Sequence, residues 1–229
     1  GIDRAAIITI MPVLNGYSLL LDAGATNLCR PHNLVQFAIM GSVYCKHYLK
    51  ITNPRVGLLS NGEEETKGTD TLRKTHTILK QTKTLNYKGY AEGGDVFKGK
   101  IDVVVTDGFT GNIFLKVAEG VMETMGATIK QELNQGIISK IGGLLTKPIF
   151  LKLKKMFHYA EVGGAPLIGL KSPVIISHGR SDDYAIKNAI RAARDYVNSR
   201  VIDHLSNDID INHDIQNLGK KSIFDKVFH

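Results

Sequence analysis

The segment IDVVVTDGFTGN, residues 101–112, decides the fold. Its three consecutive valines, Val103, Val104 and Val105, do not alternate with polar residues, which is the pattern of a strand covered on both faces. The strand runs into Asp107, Gly108, Phe109, Thr110, Gly111 and Asn112, and helix-period residues begin at Ile113. The unit therefore reads as buried strand, glycine-rich turn, helix, the building block of a mostly parallel sheet.

The same rhythm extends in both directions. Leu19 to Leu21 is a strand that enters a turn with Asp22, Gly24 and Thr26. Pro31 to Leu49 has helical spacing, with Leu34, Phe37, Ala38, Gly41, Tyr44, Cys45 and Tyr48 on one side and Pro31 suited to a first helical turn. Arg55 to Leu59 is a strand, Ser60 to Gly68 a loop rich in Glu, and Asp70 to Gln81 a helix. Val174 to Ser177 is a further strand, ending at His178 and Gly179, and Ser181 to Leu205 reads as one long helix whose opening Ser and two Asp suit a helix start. The expected class is α/β: a mostly parallel sheet with helices on both faces. Residues 1–205 form the domain and 206–229 a polar tail. Because the chain begins at Gly1 and passes at once into the apolar segment Ala5 to Leu14, the domain is expected to be incomplete on its N-terminal side.

Composition narrows the function classes. With 229 residues, 43% hydrophobic and 22% charged, the chain can bury a sizeable core, and global disorder is excluded. No run approaches the roughly 20 apolar residues of a membrane-spanning helix and nothing at the start reads as a signal peptide, so the cytosol is the default compartment. Cys29 and Cys45 have no second Cys or His at a ligand spacing, so they read as ordinary buried thiols, and neither a metal nor a cofactor is implied. The net charge of +7 could serve nucleic acid, an anionic membrane or an acidic protein. No zinc-finger or RNA-recognition signature accompanies it and Trp is absent, so nucleic acid has only charge in its favour.

The basic excess is local. Lys140, Lys147, Lys152, Lys154 and Lys155 occur with no Asp or Glu between Leu133 and Ala160. Across residues 137–157, Ile138, Ile141, Leu145, Ile149, Leu153 and Met156 recur at helical intervals, and Gly142, Gly143 and Pro148 permit a break or hairpin. A basic amphipathic helix of this kind lies in a membrane interface, or else packs as a core or dimer-forming helix.

Ligands of open α/β sheets bind beyond the carboxyl ends of the strands. The loops after Leu21, Leu59, Thr106 and Ser177 are thus expected to converge, supplying Gly24, Asn61, Gly62, Lys67, Asp107, Gly108, Gly111, Asn112, His178 and Gly179. The 108–112 turn could cradle a phosphate on glycine N–H groups at a helix start. On spacing alone, strand-to-helix turns that need glycine for geometry explain the same residues without a ligand.

Several longer runs carry a resemblance: LVQFAIMGSVY (34–44), NPRVGLL (53–59), GEEETKG (62–68), VVVTDGFTGN (103–112), GGAPLIGLK (163–171) and the pair His178, Gly179. In this order and spacing the chain, to about Leu205, resembles the bacterial phosphate acyltransferases and lacks their N-terminal portion. The resemblance implies a fold of the isocitrate and isopropylmalate dehydrogenase type, a homodimer, and a cytoplasmic enzyme peripherally associated with the inner face of the cell membrane. The implied reaction moves a fatty acyl group from acyl carrier protein to inorganic phosphate, giving acyl phosphate for phospholipid synthesis. A phosphotransacetylase-like enzyme using acyl-CoA, or an inactive membrane-binding or dimerising fragment, are the alternatives. Carried onto this sequence, it implies phosphate contact by Lys67 with Gly62, Gly108, Gly111 and Asn112, hydrogen bonds to phosphate or oxyanion from Asn61, Asn112 and His178, and an orienting role for Asp107. The carrier protein is expected on Lys187, Arg191 and Arg194, and the membrane on Ile141, Leu145, Ile149 and Leu153 with Lys147 and Lys152. Thr26 stands where members have Asn, Ser60-Asn61-Gly62 replaces Asn, aliphatic, Gly, and Arg180 replaces a small residue.

Overall fold

A computed structural model describes residues 1–14, 16–157, 163–179 and 181–211, with 154–157 and 210–211 described by their backbone alone. Arg180, the side chains of Lys154, Lys155 and Met156, and the tail from 212 lie outside the described residues. Within them the chain forms seven strands, β1 (Ala6–Val13), β2 (Gly16–Leu21), β3 (Arg55–Leu59), β4 (Asn86–Ala91), β5 (Val103–Val105), β6 (Ala165–Ile168) and β7 (Ile175–Ile176). The helices are α1 (Pro31–His47), α2 (Asp70–Gln81), α3 (Gly93–Phe97), α4 (Gly108–Leu133), α5 (Ile137–Phe157), α6 (Asp183–Asn198) and α7 (Val201–Ile211).

One sheet holds all seven strands in the order β4-β3-β5-β2-β1-β6-β7. β4, β3, β5 and β2 pair in parallel, whereas β1 is antiparallel to both β2 and β6, and β6 to β7. The expected mostly parallel sheet is therefore a mixed one with a parallel block at one side. β1 is the segment Ala5 to Leu14, whose Pro12 obscures its strand character; Pro12 pairs opposite Tyr17 near the hairpin end.

The valine run behaves as its pattern demands. Val103 and Val105 point into the larger core with α1, α2 and α7, and Val104 into a second cluster with Leu20, Val96, Phe114, Leu115 and Ala118. Helices thus cover both faces. α1 was expected to bury one side, but thirteen of its seventeen residues are buried, because the sheet, α2 and α7 surround it. The long terminal helix is in fact two. Asp182 caps the first through Ala185 N (2.8 Å), and Arg200, at φ 53°, turns the chain so that Val201, Leu205 and Ile209 sit in the core beside α1. Helical structure accordingly runs past Leu205 into the segment read as tail.

An ion pair ties the parallel block together. Arg55 donates to Asp102 from its backbone N–H (2.7 Å), from Nε (2.8 Å) and from a terminal nitrogen (2.7 Å). Burial pushes the Asp102 carboxyl up, but the Arg55 hydrogen bonds and charge outweigh it and hold it below the ordinary value. A depressed carboxylate contributes stability that is full above its unfolded pKa of about 3.9 and is lost as pH falls through the lower folded value. Asp102→Asn is therefore expected to flatten the loss of stability below about pH 4 in urea melts. An unchanged acid slope would show that other carboxylates carry it.

Candidate active site

The turn after β5 is the first turn of α4. Asp107 is its N-cap: one carboxylate oxygen accepts from Thr110 N (2.8 Å) and the other from Thr110 Oγ1 (2.8 Å), so the helix starts at Gly108 and not at Ile113. The neighbouring loop after β2 is organised by Asp22, which is fully buried. Its carboxylate accepts from the N–H groups of Ile7 (2.8 Å), Gly24 (3.0 Å), Ala25 (2.9 Å) and Thr26 (2.6 Å). Thr26 O in turn accepts from Gly108 N at 2.8 Å, docking the loop on the start of α4.

This docking accounts for the two glycines. A Cβ on Gly108 would stand 2.7 Å from Asp22 Oδ2, and one on Gly111 1.9 Å from Asp22 O. Their N–H groups go to Thr26 O and Asp107 O. The donors expected to cradle phosphate are used inside the fold, and the glycines are there because two backbones touch. Thr26 also turns inward, with Oγ1 on Ala5 O at 3.0 Å. What this corner presents outward is Asn112, whose Cβ lies 3.6 Å from the position a Gly24 side chain would take.

The loop after β3 reaches the same end of the sheet. Ser60 N donates to Ala91 O, and Asn61 Oδ1 accepts from Gly68 N at 3.0 Å, closing the 61–68 loop. Gly62 is buried under it, and a Cβ there would stand 2.7 Å from Glu64 Oε2 and 2.8 Å from Lys67 Cγ. The Asn61 amide nitrogen and the exposed Lys67 ammonium have no partner among the described residues. Pairing of Lys67 with Glu63 or Glu64, the ordinary fate of a surface lysine, does not occur. β3, β5 and β2 are adjacent and parallel, so Asn61, Gly62, Lys67, Asp107, Asn112 and the Asp22 turn gather at their carboxyl ends.

His178 does not join them. Three successive antiparallel pairings reverse β7 relative to β2, so the chain leaves β7 at the opposite end of the sheet. It is also three strands away, roughly 14 Å at the usual spacing. Lys187, Arg191 and Arg194 lie exposed on α6, which packs at the β7 side, Arg194 pairing with Asp195 at 2.9 Å.

The chain after Ala118 differs from the rest of the molecule. α4 beyond that point and α5 through Leu153 contain no buried residue. The turn between them falls at Asn134 to Gly136, before the expected Gly142, Gly143 and Pro148, which lie inside α5. Gly143 faces Leu133, so the two helices form a hairpin. Ile141, Leu145, Ile149 and Leu153 are between 43% and 76% exposed, and Lys147 and Lys152 are exposed as well. α4 adds Phe109, Ile113, Val117, Val121 and Met125, exposed at four-residue intervals.

The cysteines take no part in this chemistry. Burial, with Asp107 and Asp22 nearby, pushes the Cys29 thiol up to about 12, and burial does the same for Cys45. Asp22 is the organising residue that motif reading passed over. The run Asp22-Ala23-Gly24-Ala25-Thr26 is the available signal for a side chain that bonds the backbone just ahead of it.

Comparison with known proteins gives a consistent result. Residues 1–204 match a family model described as fatty acid synthesis protein. Proteins named phosphate acyltransferase are similar to the chain: that of Trichlorobacter lovleyi is 50% identical over 213 residues, 93% of this chain and 61% of the relative. The Geotalea uraniireducens protein is 51% identical over 209 residues (90% and 60%), and that of Campylobacter jejuni 50% over 209 (91% and 63%). The chain thus spans about three fifths of the length of these relatives.

Proposed function

The chain belongs to the fatty acid synthesis protein family, and from that premise we propose that it acts in transfer of a fatty acyl group from acyl carrier protein to inorganic phosphate, forming acyl phosphate. The observation that carries this reading is that the Lys67 ammonium and the Asn61 amide nitrogen, both on the loop after β3 at the carboxyl ends of the parallel strands, have no partner among the described residues. A phosphate held there is already a competent nucleophile. Its oxygen attacks the thioester carbonyl, the tetrahedral oxyanion takes hydrogen bonds from Asn61 and Asn112, and collapse expels the carrier thiolate. A thiol with a pKa near about 8.5 leaves without a strong acid, so positioning and charge stabilisation supply most of the catalysis. Asp107 contributes by fixing the start of α4.

The exposed apolar surface of α4 and α5 supports two further parts of the reading. The α4 stripe suits a second copy of the chain. α5, with Lys147 and Lys152, suits an anionic bilayer at the inner face of the cell membrane, where a long-chain product would be delivered. This surface favours a carrier-bound long-chain donor over acyl-CoA.

Acyl phosphate formation from acyl carrier protein thioester and inorganic phosphate, trapped with hydroxylamine, is the test. Lys67→Ala is expected to lower turnover by about 10²-fold, the size of one lost transition-state contact, while leaving thermal stability unchanged. Charge reversal at Lys187, Arg191 and Arg194 is expected to raise KM for the carrier protein and to spare kcat. Activity of Lys67→Ala within a few-fold of wild type would reduce that residue to a surface charge. No product, from the chain or from the chain joined to a relative's N-terminal portion, would end the acyltransferase reading.

A further inference from the structure

The edge strand β4, helix α2 and the Glu-rich loop after β3 line an open cavity of about 600 Å³. None of Asn61, Gly62, Lys67, Asp107 or Asn112 lines it. Its mouth is opened by a bulge. Val56 pairs with Tyr87 and Leu58 with Tyr90, so Lys88 and Gly89 together stand opposite Gly57. Gly89 adopts φ 99°, and a side chain there would meet nothing within 4 Å.

Two polar groups in the cavity wall have no hydrogen-bond partner among the described residues. His76 is only 8% exposed and its ring stacks on Tyr90 at 4.5 Å. Its Nδ1 lies 2.7 Å from Tyr87 Oη, while Nε2 has no hydrogen-bond partner among the described residues. Tyr90 Oη, in a residue 7% exposed, is likewise buried without a partner among them. Among the described residues the Tyr87 hydroxyl has no other acceptor, so the phenol donates to Nδ1 and the ring proton sits on Nε2. The reverse arrangement would strand the phenol proton as well as the Nε2 lone pair. Both unsatisfied groups are therefore donors.

A carboxylate already stands near them. Glu65 Oε1 accepts from Lys80 and lies 3.8 Å from His76 Nε2, too far to hydrogen-bond. Both side chains of this ion pair are more than half exposed. Such a pair is worth little net, so its exchange is easy. An anion that displaces Glu65 from Lys80 would stand where the carboxylate now lies, 3.8 Å from His76 Nε2, with a further oxygen to turn toward the buried donors.

We propose that this cavity binds a phosphoryl oxyanion, free or as a monoester, whose oxygens accept from His76 Nε2, Tyr90 Oη and Lys80 Nζ in place of Glu65. Three donors match three phosphoryl oxygens. Glu63 and Lys88 also line the cavity, and Leu79 and Leu85 give an ester's organic part an apolar floor. The site uses no residue assigned to acyl transfer and stands or falls separately from that assignment.

Titration of the intact chain with inorganic phosphate and with phenyl phosphate, followed by the His76 ring signals in NMR and by calorimetry, tests it. The His76 signals are expected to respond saturably and its titration to move to higher pH, since an anion beside the ring favours the imidazolium. Glu65→Ala is expected to tighten binding and Lys80→Gln to weaken it, each about tenfold, the scale of one hydrogen bond to a charged group. His76→Phe should abolish binding; if that variant does not fold, the two exposed substitutions carry the test. Tighter binding of phenyl phosphate identifies an ester ligand, and equal or better binding of inorganic phosphate the free ion. Silent His76 signals, indifference to both Glu65→Ala and Lys80→Gln, or loss of binding in Lys67→Ala instead would overturn the proposal.

Discussion

Replacing Leu145 and Ile149 of α5 with glutamate is expected to abolish co-sedimentation of the chain with anionic vesicles. Both side chains are largely exposed, at 76% and 60%, so neither supports the core and the variant should remain folded. Inserting each into the bilayer boundary contributes about 2 kcal/mol, and each new carboxylate meets the anionic surface with a penalty of about 1 kcal/mol. The combined loss, on the order of 6 kcal/mol, is roughly four decades in partitioning. Lys147→Gln with Lys152→Gln should only move the salt dependence, because these charges act through a screened field and leave the apolar contact in place. If the glutamate variant still sediments but loses its dimer in gel filtration, α5 is a subunit interface and the membrane reading is wrong.

Asp22→Ala is expected to destabilise the chain by about 4 kcal/mol, since four backbone N–H groups in part-buried hydrogen bonds lose their common acceptor. For a chain of this size that corresponds to a fall in Tm of about 8–16 °C. The four N–H groups on its carboxylate belong to β1 and to the 24–26 turn, so one side chain holds the β1–β2 hairpin and the turn in register. Gly111→Ala attacks the same junction from the other side. Its new methyl would meet the Asp22 carbonyl at 1.9 Å, and overpacking of that kind costs about 1–3 kcal/mol or more. Because the two act at one contact, their effects in combination should be less than additive. A Tm for Asp22→Ala within about 2 °C of wild type, a loss of no more than about 1 kcal/mol, would show that water or a rearranged loop replaces the carboxylate.

Much of the architecture was legible as local pattern. The strand at 103–105, α1, β3 and α2 lie where apolar spacing put them: Pro31 opens α1 as its position suggests, and the structure adds Thr69 as the cap of α2, accepting from Leu72 N. β4 was not legible. It is an edge strand with Lys88, Gly89 and a bulge, so neither alternation nor an apolar run marks it. The site was legible in part. Lys67, Asn61 and Asn112 lie on loops that follow adjacent parallel strands, and such loops share one end of the sheet by construction.

Three further matters were settled only by the tertiary structure. The direction of β7, and with it the removal of His178 from the site, depends on a chain of antiparallel pairings from β2 through β1 and β6. The work of Gly108 and Gly111 depends on which loop packs against them, and that loop is 80 residues away in sequence. The donors of the β4 cavity exist only because Tyr87 claims one side of the His76 ring and no described group reaches the other. Periodicity and caps record how a segment meets its immediate neighbours along the chain and whether a face is buried. Strand direction, backbone contact and the partner of a buried donor are relations between distant segments, and these are fixed when the segments pack.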